Sequence, residues 1–161
     1  MPTATETSAS HTTSALDHVR PLHEMPGFDD RCREFGEDVV EIVRFISELE
    51  EGITQEVQDE LAAKDSVAEA SAMRTGKLKL YKKGDRDEEG IADNECWWID
   101  EEAASSVIHD PDHIQSTQFM IDNKIYKDFR IEIYKRTPGT DTRTTLVRVM
   151  TKAMLEAHVG H

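Results

Sequence analysis

Between Glu37 and Ile53 the apolar residues Val39, Val40, Ile42, Val43, Phe45, Ile46, Leu49 and Ile53 recur at spacings of three and four. Wound at 3.6 residues per turn, that spacing gathers them on one broad face. Glu41, Glu48, Glu50 and Glu51 fall on the opposite face beside a lone Arg44. Glu37 and Asp38 stand where a helix start favours negative charge, and Gly52 ends the run. The pattern predicts a first helix, greasy inward and carboxylate-studded outward.

A second helix is expected from Thr54, with Val57 and Leu61 inward on a thin apolar face, a Ser66–Glu69 capping-box pattern restarting it toward Met73, and Thr75-Gly76 as its stop. The period then changes to two. Leu78 and Leu80 alternate with Lys77, Lys79 and Lys82, as in a half-buried strand, and the acidic stretch 84–95 reads as a solvated loop. Cys96 to Ile99 is expected as a short strand. Asp100 is placed to cap a short helix through Ile108, with Pro111 as terminator.

Ile114 to Ile121 and Ile125 to Arg136 read as a hairpin turning at Asp122-Asn123. After the Pro138-Gly139 turn, the β-branched run Thr144 to Met150 favours a strand, and residues 152–158 a closing helical turn. The alternative is one helix from Arg143 to Ala157, since Leu146, Met150, Ala153 and Met154 also match helical spacing. The expected class is α+β, two N-terminal helices packed on an antiparallel sheet of about four strands.

The first fourteen residues hold five Thr and three Ser, and Pro21, Pro26 and Gly27 keep the chain punctuated. Such a stretch buries too little to offset the entropy of ordering. Residues 1–27 are therefore expected as a flexible, disordered arm and 28–161 as a single acidic domain.

Charge sharpens the functional expectation. With 33 acids against 19 bases the chain carries a net −14, which disfavours direct binding to nucleic acid and favours a basic protein surface as partner. Residues 29–60 hold twelve acids and three bases, whereas residues 113–161 hold eight bases and five acids. Two unlike cysteines, Cys32 and Cys96, indicate no disulfide framework and a reducing interior. No window is apolar enough for a membrane span and no signal peptide is visible, so a cytoplasmic setting is expected.

No phosphate-cradling glycine loop, nucleophile elbow or zinc-helix motif occurs, and no cofactor is expected. His109, Asp110, Asp112 and His113 form the one cluster with metal-ligating residue types, but Pro111 between the histidines opposes a shared ion. Cys96 has no activating neighbour. Trp97 and Trp98, adjacent on a strand, must face opposite ways, so one enters the core and the other is a candidate partner anchor.

These readings point to a non-enzymatic interaction protein of inhibitor, immunity, anti-defence or viral accessory type, with nucleic-acid mimicry among its modes. Its expected contact residues are Glu37, Asp38, Glu41, Glu48, Glu50, Glu51, Trp97 and Trp98. Two alternatives accompany it. One is a small-ligand enzyme or carrier with a helix across a curved sheet, its pocket lined by Trp97 or Trp98, Tyr126, Tyr134 and His109. The other is a homo-oligomer that dimerises through the first helix.

Overall fold

The computed structural model describes residues 14–139 and 142–159. Its centre is a five-stranded antiparallel sheet: β1 (Glu41–Leu49), β2 (Leu78–Lys82), β3 (Ile91–Trp98), β4 (Tyr126–Lys135) and β5 (Thr145–Thr151). The order across the sheet is β2-β3-β1-β4-β5. Among the described residues five α-helices accompany it: α1 (Phe28–Phe35), α2 (Gln55–Arg74), α3 (Glu101–Ser106), α4 (Pro111–Asp122) and α5 (Lys152–Val159). The run β1-α2-β2-β3-α3/α4-β4, with β1 and β3 inside, is the ferredoxin-like split βαβ arrangement. β5 extends it beyond β4.

The expected first helix is a strand. Residues 41–49 form β1, the middle strand, hydrogen-bonded to β3 on one side and β4 on the other. Both faces of such a strand are covered, so apolar residues need not alternate with polar ones. A dense apolar run then satisfies the three-and-four spacing as well as the spacing of two. β-Branched Val40, Ile42, Val43 and Ile46 favour the strand. The homodimer expected through this element loses its surface, because Val39, Ile42 and Ile46 are wholly buried within the protomer.

The expected strand at Ile114–Ile121 is instead helix α4. Asp110 accepts from the His113 backbone N–H at 3.2 Å and Pro111 occupies the first helical position, where its missing N–H costs nothing. Pro111 therefore starts a helix where it was expected to end one. The hairpin thus becomes a helix followed by a strand, and the strands number five, not about four.

Other expectations stand in the structure. Thr54 caps α2 through Val57 N–H, and Asp100 caps α3 through Ala103 N–H. β2 and β4 lie where expected. β3 begins at Ile91, earlier than expected, so Asp93 and Glu95 belong to the sheet and not to a solvated loop. At the C-terminus the strand reading holds over the single helix, with β5 followed by α5.

Of the expected arm, residues 1–13 lie outside the described residues. Residues 14–27 pack against the sheet through short 3-10 turns, burying Leu16 and Leu22. With α1 they form a strap across one face of the sheet, and α2 and α4 cover the other. No helix among the described residues is long and apolar enough to cross a membrane.

Candidate functional site

Strand alternation sends Ile42, Arg44 and Ile46 of β1 toward the strap and Val43, Phe45 and Ser47 toward the helices. The strap side is sealed. Ile42, Ile46 and Trp97 are wholly buried there, packed with Leu16, Leu22, Phe28 and Cys32 from the strap. Among these apolar groups lies a charged ladder. Arg44, fully buried, donates to Asp93 at 2.7 and 3.0 Å and to Glu132 at 3.1 Å. Burial opposes the charge of Arg44, but the Asp93 hydrogen bonds and the Asp93 and Glu132 charges outweigh it and hold the guanidinium charged.

The ladder continues outward on both sides. Arg31 of α1 donates to both Glu95 oxygens at 2.9 and 3.0 Å, while Trp97 Nε1 donates to Glu95 Oε1 at 2.9 Å. Tyr134 O–H donates to Glu132 Oε1 at 2.6 Å, and burial followed by that carboxylate pushes its phenol up to about 12. Arg130 lies 2.9 Å from Glu132 and donates to the Leu16 carbonyl, tying the strap down. Three cations, Arg31, Arg44 and Arg130, balance three anions, Asp93, Glu95 and Glu132. Each buried charge has a partner, the condition under which such charges are tolerated in a low-dielectric interior.

The helix side differs. Val43, Phe45, Asn94, Cys96, Ile131 and Ile133, all on interior strands, remain only half-buried beneath α2 and α4, and Tyr81 of β2 is half-buried beside them. These positions are packed less completely than their strap-side neighbours, although Ser47, Phe129 and Trp98 on the same face are buried. On α2 the spacing Leu61, Asp65, Glu69, Ala72 puts four residues on the face turned to the sheet. Two of the four are carboxylates.

Asp65 accepts a short hydrogen bond from Ser116 Oγ of α4, joining the two helices. Burial raises its pKa, against the Ser116 hydrogen bond and the charges of Lys83 and His113. His113, at the start of α4, is shifted down by burial, with Asp110 and Asp65 opposing. Tyr81 is shifted up by burial and then by Cys96, Asp65 and Glu69. Cys96 is surrounded closely enough that burial, followed by Glu69 and Glu95, pushes its thiol up to about 12. It is a poor nucleophile at neutral pH.

Arg86, from the loop between β2 and β3, packs against this face of the sheet. Its Nη1 donates to the carbonyls of Ser47 at 3.1 Å and Gly90 at 2.7 Å, and its Cζ lies 5.6 Å from the Tyr126 ring centroid. Gly84 brings that loop against β3, where a Cβ would stand 2.3 Å from the Asp93 carbonyl oxygen. On the outer side of the α2–α4 seam is a shallow groove of about 230 Å³ lined by Glu60, Lys64, Val67 and Asp112 among others.

The contact residues expected from sequence do not share a surface. Glu37 and Asp38 are exposed in the turn after α1, with Asp38 3.3 Å from Lys79. Glu41 is buried against Lys135. Glu48 is half-buried 4.0 Å from Lys127, and Glu50 and Glu51 lie in the turn before α2. Trp97 and Trp98 face opposite ways as expected, but both are buried, Trp98 against Ala72, Leu78 and Ala104. His109 is exposed and His113 half-buried, and no metal-holding group of three His, Cys, Asp or Glu side chains occurs among the described residues. Tyr126 is buried on the helix side with Leu61 and Phe129, whereas Tyr134 belongs to the strap side.

Asp65, Glu69, Ser116 and Tyr81 were not singled out from sequence as site residues. Their signal was present in the carboxylates four and eight residues after Leu61, where an amphipathic helix would place apolar side chains.

A family model described as PB2B2.08-like matches residues 5–149. The chain belongs to this family. No curated protein matches the sequence. Among solved structures, a conserved protein from Methanosarcina mazei Go1 is similar at 13% identity and a TM-score of 0.50, covering 65% of this chain and 99% of that one. PA3566 from Pseudomonas aeruginosa is similar at 14% identity and a TM-score of 0.48, covering 62% and 95%. The hypothetical protein At3g17210 from Arabidopsis thaliana is similar at 17% identity and a TM-score of 0.47, covering 66% and 96%. The Methanosarcina likeness bears on the fold alone.

Proposed function

We propose that a cleft between the helices and the sheet receives a small, largely apolar ligand, with Asp65, Ser116, His113 and Tyr81 as its polar contacts. The observation that carries this reading is the asymmetry of the middle strand. Ile42, Arg44 and Ile46 are fully buried, while Val43 and Phe45, alternating with them, keep part of their surface open. An open apolar floor beside a few convergent polar groups with perturbed pKa values is the usual character of a ligand site.

Crystals pressurised with xenon test the reading, since xenon enters dry apolar space. Density against Val43, Ile131 and Ile133 is the expected result. Xenon found only elsewhere, with those side chains in closed contact, would reject the cleft.

A second reading, an acidic protein engaging a basic partner surface, draws support from where the charge lies. Because the buried ladder is neutral, it removes none of the net −14 from the rest of the chain. Exposed Asp29, Asp30, Glu34, Glu37 and Glu51 contribute to it. Partner capture that survives high salt unchanged would count against this mechanism.

A further inference from the structure

We propose that a second copy of this chain pairs antiparallel with the outer edge of β5, joining two five-stranded sheets into one across a twofold axis at Val149. This contact is independent of the cleft.

A sheet in the order β2-β3-β1-β4-β5 has two edges, and each edge strand turns a row of backbone N–H and C=O groups away from its single neighbour. The two edges are furnished differently. β2 is short, shifts register between Leu78 and Leu80, carries Lys79 and Lys82, and lies between Lys77 and Lys83. Short length, a bulge and lysines keep an edge from pairing with another chain. β5 carries Arg148 as its only charge, among Leu146, Val147, Val149 and Met150. Leu146 and Val147 are 47% and 51% exposed, and Met154, just beyond in α5, is 54% exposed. Among the described residues only β4 pairs with this strand.

Three features select a second copy as the occupant. Residues 126–159 hold seven bases and four acids, so two copies meet here with less repulsion than along their acidic segment 29–60. An antiparallel pair sets the Leu146–Val147 end of one strand beside the Met154 end of the other, and the reverse, so each copy covers what its mate exposes. The lysine-lined β2 edge does not extend the sheet, so assembly closes at two copies.

Charge also selects the register. The ladder between β4 and β5 is regular from Arg148 to Thr151. Within that stretch, an axis at Arg148 would set two guanidinium groups opposite each other, and one at Met150 would set Arg148 opposite Lys152. An axis at Thr151 would run β5 into helix α5. The axis at Val149 sets Arg148 opposite Met150 and Val147 opposite Thr151, with no like charges facing.

Sedimentation velocity of the full chain over a concentration series should show a monomer–dimer equilibrium, and added salt should strengthen it by screening the like net charges. Val149→Lys sets two ammonium groups opposite each other and should weaken the dimer at least about tenfold, with the circular dichroism spectrum unchanged because β5 is an outer strand. Val149→Cys should form a disulfide between copies under mild oxidation, since residues directly opposite in an antiparallel pair have Cα atoms about 4.5 to 5.5 Å apart. Lys79→Cys, on the β2 edge, should not. A chain monomeric at every concentration, species larger than a dimer, a dimer indifferent to Val149→Lys, or a disulfide through Lys79→Cys in place of Val149→Cys would overturn the contact.

Discussion

The two faces of the sheet solve the same burial problem in opposite ways. On the strap side, six charged side chains, of which Arg44, Glu95 and Glu132 are buried, are all paired in a neutral ladder beneath the strap. On the helix side, fewer charges are present, yet Asp65 and Glu69 lack a cationic partner and the central side chains stay half-open. Paired charge is compatible with closure, whereas Asp65, without a cationic partner, is pushed toward its neutral form by burial. The difference separates a face that holds the molecule together from a face that can receive something.

The largest expected effect comes from breaking the closed face. Arg44→Leu leaves Asp93 and Glu132 facing each other without their shared cation and should cost about 3 to 5 kcal/mol in urea unfolding. Arg31→Met removes the bidentate hold on Glu95 and should cost about 2 kcal/mol, with faster proteolysis within residues 14–38. If both losses were below 1 kcal/mol on the order-of-magnitude scale of exposed ion pairs, the ladder would not be what seals this face.

Paired truncations sharpen the contrast at smaller magnitude. Ile42→Val on the closed face should cost about 1.5 kcal/mol, and Ile133→Val on the open face less than about 0.5 kcal/mol, because Ile133 is only partly buried. Equal costs would mean that the faces are packed alike.

The smallest effects are pH-dependent and of opposite sign. His113 is shifted below its ordinary 6.5, so its neutral form is favoured in the folded state. The associated stability is complete above pH 6.5 and is lost as pH falls through the lowered value. His113→Gln should flatten that slope. Asp65 is shifted above its ordinary 3.8, so its contribution is complete below 3.8 and is lost as pH rises through the raised value. Asp65→Asn should therefore raise the Tm at neutral pH, and thermal melts from pH 4 to 8 on the scale of these reference values read both.

Much of the fold could be read along the chain where one local rule dominated. Thr54 and Asp100 announced α2 and α3 as N-caps, and β4 lies where its alternating residues placed it, although Glu132 and Tyr134 on its polar side are buried beneath the strap. β1 was misread because a middle strand with two covered faces has no polar alternation to betray it, and Arg44 looked like a surface residue until Asp93 and Glu132 were beside it. α4 was misread because Pro111 serves as a first-turn residue after an Asp cap as readily as a terminator. The candidate site was hidden for a related reason. Asp65, Ser116 and Tyr81 are distant in sequence, and only the ferredoxin-like winding brings α2, α4 and β2 together.

The contrast between faces can be measured directly by NMR on a methyl-labelled sample titrated with a neutral gadolinium chelate. Signals of Val43, Ile131 and Ile133 should broaden while those of Ile42 and Ile46, their alternating neighbours across the same strands, stay sharp. Equal broadening of the two sets, or none in either, would contradict a sheet sealed on one face and open on the other.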